Sequence, residues 1–362
     1  MSKKPSSLHY IHYLALDKIL DAQNLVSKKK GDEAHEEMLF IIIHQTYELW
    51  FKQILHELNS TITLFKADKI DESNIGVIVN RMGRVNKIMT TLVGQIDILE
   101  TMTPLDFLDF RNYLSPASGF QSHQFRQLEV LLGLKIERRH QTGGCPYHAQ
   151  FEGNKKEAIL KLENDDSLFS LVEKWLERIP FLNVEDFDFI KKYESAVNKM
   201  LEKEVVEIKS ADLTEKDKLL RIRMIDENRK YFERVLNKDQ HNQAILKGET
   251  KLSYKATMSA LLINLYRDQP ILHLPYQFLK SLVELDHKIS TWRFRHMQMV
   301  EKMLGQKIGT GGSSGQEYLK QTVDKHKLFT DLANIATLMI SRSYLPELPL
   351  NIKKKLGFNY IK

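Results

Sequence analysis

Two of the 13 histidines stand where an imidazole could do chemistry. His296 lies in the run Trp292-Arg293-Phe294-Arg295-His296-Met297. At about 3.6 residues per turn, Ile289, Trp292, Val300 and Met303 share its helical face, so a single imidazole projects from an aromatic and aliphatic stripe. Two roles suit such a residue. One is a core histidine hydrogen-bonded to a backbone carbonyl. The other is the axial ligand of a haem packed on the stripe, because haem needs one proximal nitrogen from the protein and apolar walls round the macrocycle. The second residue is His44, in the run from Phe40 to Trp50. Phe40 and His44 are one turn apart and share a face, which would give a pocket wall with one hydrogen-bonding group. Glu37 and Glu48 fall near the same face, so a buried His–Glu pair is the structural alternative.

Other residues widen the choice. Arg111 ends a helical run just before the Ser118-Gly119 turn; a guanidinium there could fork onto a carboxylate or simply make a surface ion pair. The loop Gly309-Thr310-Gly311-Gly312-Ser313-Ser314-Gly315 is no P-loop, since no Gly-Lys-Ser/Thr follows. Nor is it a dinucleotide fingerprint, since Ser314 replaces the third Gly and a helix precedes it. Backbone N–H groups and the Thr310 hydroxyl remain, which suit a carboxylate or a closing lid. A di-iron carboxylate bundle would need two Glu-x-x-His pairs and two further glutamates. Glu137-x-x-His140 and Glu284-x-x-His287 supply such pairs, although His140 abuts the Thr142-Gly143-Gly144 break and two such pairs among 13 His and many Glu are unsurprising by chance. The single cysteine, Cys145, excludes an intramolecular disulfide and a Cys-based zinc or iron–sulfur site, and fits a reducing compartment.

The elements that must carry these residues read as helices. Glu37–Leu64 and Asn74–Glu100 run with helical period and no Pro. Thr103 and Pro104 read as the N-cap and first turn of another helix, broken at 115–119. Gln121–Leu132 is helical up to Gly133, and Phe278–Leu304 up to Gly305. Pro270–Pro275 reads as a loop, and a last helical stretch ends near Ile340. The segments 163–167 and 210–214 look like turns with caps. The part near 195–250 reads as a charged helical hairpin projecting from the body. No alternating strand of convincing length is visible.

The fold class expected is therefore all-α, a large helical bundle in one domain over 1–362. With 16 Gly and 9 Pro among 362 residues, too few turns are marked for a sandwich or barrel. At 42% hydrophobic and 28% charged, the chain has enough apolar material for a sizeable core. The net charge of +6 lies largely in short runs such as Lys28-Lys29-Lys30, with no continuous basic stripe, so no nucleic-acid partner is expected. The longest clean apolar run, Met38–Ile43, is too short to span a bilayer, and the N-terminus lacks a signal-peptide core. A soluble, cytoplasmic protein is expected.

Taken together, four of these motifs resemble the tryptophan 2,3-dioxygenase family, in that family's order and spacing. They are Glu36–Trp50, Leu105–Ser122, Trp292–His296 and Gly309–Gly315. The resemblance implies an all-α homotetramer that uses haem b, ferrous when active, to insert both atoms of O₂ into L-tryptophan, giving N-formyl-L-kynurenine. It implies His296 as the axial ligand of the iron, with Ser118, Gly119 and Tyr318 round the haem. It implies His44 near the indole N–H and Phe40 and Phe107 against the ring. Arg111 and Thr310 would hold the amino-acid end. Tyr10 and Tyr13 would belong to an N-terminal arm, about 1–30, reaching a neighbouring subunit's site. The stretch Arg139–His148 departs from the family's pattern, away from the pocket motifs. A haem-binding sensor without turnover is the alternative beside the di-iron bundle; it would need neither Arg111 nor the Thr310 loop.

Overall fold

The computed structural model describes residues 8–67, 72–134, 151–184, 187–305, 307, 319–320, 323 and 326–357. Three short helices open the chain: α1 (Tyr10–Leu14), α2 (Leu16–Leu20) and α3 (Val26–Lys29). The long α4 (Glu36–Lys66) and α5 (Glu72–Leu99) follow, then α6 (Pro104–Arg111), α7 (His123–Leu132), α8 (Gly153–Asn164) and α9 (Leu168–Glu177). Next come α10 (Phe189–Ser210), α11 (Glu215–Leu236), α12 (Lys238–Leu246), α13 (Tyr254–Leu265) and α14 (Pro270–Leu304). The last two are α15 (Thr330–Asn334) and α16 (Leu350–Leu356). The class is all-α. A two-stranded antiparallel ribbon, Asn183–Val184 against Phe187–Asp188, is too short to show as alternation in sequence.

The frame is α4, α5 and α14. On α5, Ile75, Ile78, Met82, Val85, Met89, Leu92 and Ile96 recur every three or four residues and are all buried, so one stripe faces inward. It packs along α14 and α4, against Phe278, Leu282, Ile54 and Leu58. Each such side chain contributes about 1.5–3 kcal/mol by leaving water. Polar ties fix the helices in register. The Tyr47 hydroxyl donates to the Leu92 carbonyl at 2.9 Å, and the Asn86 amide donates to the Ser281 carbonyl at 2.9 Å.

Local signals set the helices that reach the cavity. Thr103 closes a capping box with Asp106, and Pro104 takes the first position of α6. Helix α7 starts at His123 rather than Gln121, because Gly119–Gln121 forms a separate 3₁₀ turn and the Ser122 hydroxyl accepts the Phe125 N–H. Gly133 stops α7 in the left-handed region at φ +115°, and a Cβ there would stand 2.8 Å from Phe169 Cβ, so the stop requires glycine.

Two further expectations are corrected. Pro270–Pro275 is not a loop but the start of α14. Pro270 occupies the first helical position, where its missing N–H costs nothing, while Pro275 forfeits one bond in the second turn and is buried in return. The last helical stretch gives way to a 3₁₀ turn, Ile335–Leu338, and α16 follows as a helix not foreseen, with Ile352 and Leu356 buried.

Helices α10 and α11 pack on each other as a hairpin. Helix α10 buries Phe189, Tyr193, Val197 and Leu201 in the core, whereas Val206, Leu219 and Leu220 near the turn are exposed. At the other end, Tyr10 and Tyr13 of α1 are each 69% exposed. The chain between them and α4 is anchored by the buried Glu37 carboxylate, which accepts the Val26 and Ser27 N–H groups at 2.8 and 2.9 Å and the Ser27 hydroxyl. Among the described residues, no helix is long and apolar enough to cross a membrane.

Candidate active site

The α4 residues Phe40, His44, Tyr47 and Phe51 are spaced 4, 3 and 4 apart and fall on one face. They meet the α14 face that carries Trp292, His296, Val300 and Met303, and the two faces enclose a cavity of about 320 Å³. That is in the size range of small-molecule sites. Phe107 of α6, the Ser118–Gly119 turn and Phe125 of α7 complete the walls. His296, His44, Phe40, Phe107, Ser118 and Gly119, singled out from sequence, are thus brought together round one space.

The walls are aromatic and interlocked. The Phe40 ring centroid lies 4.2 Å from His44, 5.8 Å from Phe107 and 5.5 Å from Phe110. Trp292 lies 5.8 Å from His296 with the rings only 15° from parallel, and Phe125 packs on Trp292 at 5.1 Å. Such contacts give each ring a fixed plane at modest individual energy.

The two imidazoles differ in their bonding. His44 Nδ1 donates to the Phe40 carbonyl at 2.7 Å. A carbonyl only accepts, so Nδ1 carries the proton and Nε2 is left as an acceptor. Burial lowers the pKa of His44, partly offset by that bond and by Glu48, so the ring is neutral at pH 7. The expected alternative of a His–Glu pair is not what forms: Glu37 is taken by α3, and Glu48 accepts the Ser122 hydroxyl at 2.5 Å and the Gln124 amide at 2.8 Å. His296 does not make the backbone hydrogen bond of an ordinary core histidine with any described residue. Burial first, and the neighbouring His44 second, push it down to about 4. It is a neutral imidazole facing an apolar space.

Arg111 is the last residue of α6, one turn beyond Phe107, half-buried and outside the cavity lining. Tyr10 and Tyr13 stand on exposed α1 and do not line the cavity. Thr310, Tyr318, the loop Gly309–Gly315 and the divergent stretch Arg139–His148 lie outside the described residues. Leu304 and Leu319, which flank the glycine-rich segment in sequence, both line the cavity.

Sequence reasoning missed a charged cluster in the same wall. Glu129 accepts Arg126 Nη1 and Arg293 Nη2 at 2.6 Å each, and His326 Nδ1 lies 3.3 Å from its carboxylate. Burial alone would raise the Glu129 pKa, but Arg126, the His326 hydrogen bond and Arg293 together hold it far below the carboxylate range. In sequence, Arg126 and Glu129 read as an ordinary i,i+3 pair. Only the fold brings Arg293 and His326 to them.

No group of three or more His, Cys, Asp or Glu side chains that could hold a bare ion occurs among the described residues. Glu284, needed for a di-iron site, is exposed and pairs with Lys288 at 2.7 Å, and His287 is exposed as well. The donor set does fit haem, whose macrocycle supplies four nitrogens and asks for one neutral imidazole and apolar walls.

A family model described as tryptophan 2,3-dioxygenase matches residues 2–339. Relatives bearing the name tryptophan 2,3-dioxygenase match over almost the whole chain. That of Bdellovibrio bacteriovorus is 45% identical, covering 98% of this chain and 99% of the relative. That of Dictyostelium discoideum is 47% identical, covering 97% and 88%, and that of Rattus norvegicus 45%, covering 96% and 86%.

Proposed function

The chain belongs to the tryptophan 2,3-dioxygenase family, and on that premise we propose that its aromatic cavity holds haem b on His296 beside L-tryptophan. It is an oxidoreductase that converts L-tryptophan and O₂ to N-formyl-L-kynurenine, the first step of tryptophan degradation by the kynurenine pathway. The observation that carries the haem assignment is His296, a neutral imidazole without a described hydrogen-bond partner, facing an apolar cavity. When bound in its ferrous state, haem supplies the activation of O₂.

The chain's own residues do the rest. Phe40 and Phe107, 5.8 Å apart, suit the flat indole ring. His44 Nε2 is an acceptor and suits the indole N–H; that N–H is too weak an acid for a neutral imidazole to remove readily, so His44 orients the ring rather than deprotonating it. Arg111 and Thr310 hold the carboxylate and ammonium end. Ser118 and Gly119 border the space left for oxygen, where a Cβ on Gly119 would meet no heavy atom within 4 Å. The aromatic walls present a largely apolar surface to the ring. Positioning of this kind can lower a barrier by several kcal/mol.

The test is the visible spectrum of the purified protein together with steady-state formation of N-formylkynurenine. A Soret band and turnover are expected. A colourless protein would refute the haem assignment, and a coloured protein without turnover would favour a haem-binding sensor.

The exposed N-terminal segment through α1 and α2, with Leu8, Tyr10, Tyr13 and Leu20 all at least 69% exposed, suits an arm that crosses to a neighbouring subunit of a cytoplasmic homotetramer. Deleting residues 1–20 is expected to weaken the tetramer and raise the KM for tryptophan together, read by light scattering and kinetics. A truncated protein that stays tetrameric with unchanged kinetics would count against a shared site.

A further inference from the structure

The reaction as proposed makes no use of the ionic cluster in the cavity wall. Arg126, Glu129 and Arg293 all line the cavity, yet are only 5%, 3% and 6% exposed. Glu129 comes from α7 and bridges Arg126, on its own helix, to Arg293, on the helix that carries His296. Both guanidiniums are held with their central carbons 5.7 Å from the Phe125 centroid. Phe125 packs on Trp292, which in turn lies nearly parallel to His296.

A buried ion cluster is a poor device for stability alone. Apolar residues of similar volume often serve as well or better, because desolvating the charges costs about what their attraction returns. What apolar residues cannot supply is a fixed electrostatic field. In a wall shielded from water, one unit of charge acts on a neighbouring group far more strongly than it would in solvent.

We propose that Glu129 is a positioning residue of the haem site: it fixes two guanidiniums in the cavity wall, and the balance of its charge against theirs sets the reduction potential of the bound haem. The inference rests on the haem assignment above. Ferrous iron carries one positive charge less than ferric iron. Added positive charge nearby therefore favours the ferrous state and raises the potential, and added negative charge does the opposite. Because the enzyme works from ferrous haem, this balance governs how much of it is ready for oxygen.

The test is a pair of substitutions in the haem-loaded protein, read by spectroelectrochemical titration rather than by turnover. Glu129→Gln keeps the shape and one acceptor oxygen while making the wall one unit more positive, and is expected to shift the potential upward. Arg126→Gln makes it one unit more negative and is expected to shift it downward. The double variant restores the formal charge and is expected to return toward the wild-type value. A merely structural brace predicts something else: either substitution would loosen the same wall, the two shifts would share a sign, and the double variant would lie further out.

Shifts of one sign, or none, overturn the proposal. Should Glu129→Gln not yield a folded holoprotein, Arg126→Gln and the charge-conserving Arg126→Lys decide together: a lower potential in the first with an unchanged one in the second supports the assignment, and any other result overturns it. A wild-type protein with no Soret band defeats the haem reading and this inference together. A wild-type protein with a normal Soret band and unresponsive variants defeats this inference alone.

Discussion

His296→Ala is expected to purify with its helices intact and its haem missing. The residue faces the cavity and makes no hydrogen bond to a described residue, so truncating it orphans no buried polar group in the body of the fold. The frame of α4, α5 and α14 is held by Ile54, Leu58, Ile78, Met82, Phe278 and Leu282, none of which depends on the imidazole. Far-ultraviolet circular dichroism should therefore match the wild type. Haem retention should not. Disturbing a residue that merely orients a metal ligand typically costs about 10–100-fold in affinity, and removing the ligand itself costs more. The Soret band is expected to be absent or weak and shifted, with turnover lost in proportion. Added imidazole provides a sharper check, since the vacated space can accept the ring, and partial recovery of the Soret band is expected. A variant with a full-strength, unshifted band and normal activity would refute the ligand assignment.

Arg111→Ala is expected to abolish most discrimination between L-tryptophan and tryptamine, which lacks the carboxylate, while leaving haem content unchanged. Arg111 closes α6, whose start is fixed by the Thr103–Asp106 capping box and whose preceding turn places Phe107 in the cavity wall. A half-buried guanidinium at that point can fork onto the amino-acid end of a substrate whose ring lies against Phe40 and Phe107. Removing one partner of a desolvated charge pair costs about 2–5 kcal/mol, that is, roughly 30-fold or more in kcat/KM for tryptophan. Tryptamine turnover, which never used the clamp, should change little. Arg111→Lys should also be impaired, because an ammonium cannot reproduce the two-pronged geometry. An Arg111→Ala enzyme that preferred tryptophan by the wild-type margin would defeat the clamp.

The helices were legible because each is specified by signals a few residues apart. The capping box at Thr103, the glycine stops at Gly133 and Gly305 and the apolar period of α5 all act within one or two turns. Where a reading failed, a local signal had two meanings. Proline punctuates loops and also takes the first turn of a helix, and here Pro270 holds the first position of α14 while Pro275 is buried within it. The two-residue ribbon at 183–188 and the short α16 offered too few residues for any period to show.

The site divides in the same way. That Phe40 shares a face with His44, and that His296 stands on an apolar stripe with Trp292, Val300 and Met303, follows from helical geometry alone, so the sequence by itself determined both half-walls and the residue types they present. That the half-walls face each other, that Glu37 and Glu48 bond elsewhere and leave His44 unpaired with a carboxylate, and that Glu129 meets Arg293 from 164 positions away were decided only by the tertiary structure. The physical reason is range. Caps and periods act between neighbours along one helix, whereas a cavity and a buried ion cluster exist only where separate helices pack, and which helices pack depends on burying every apolar stripe at once.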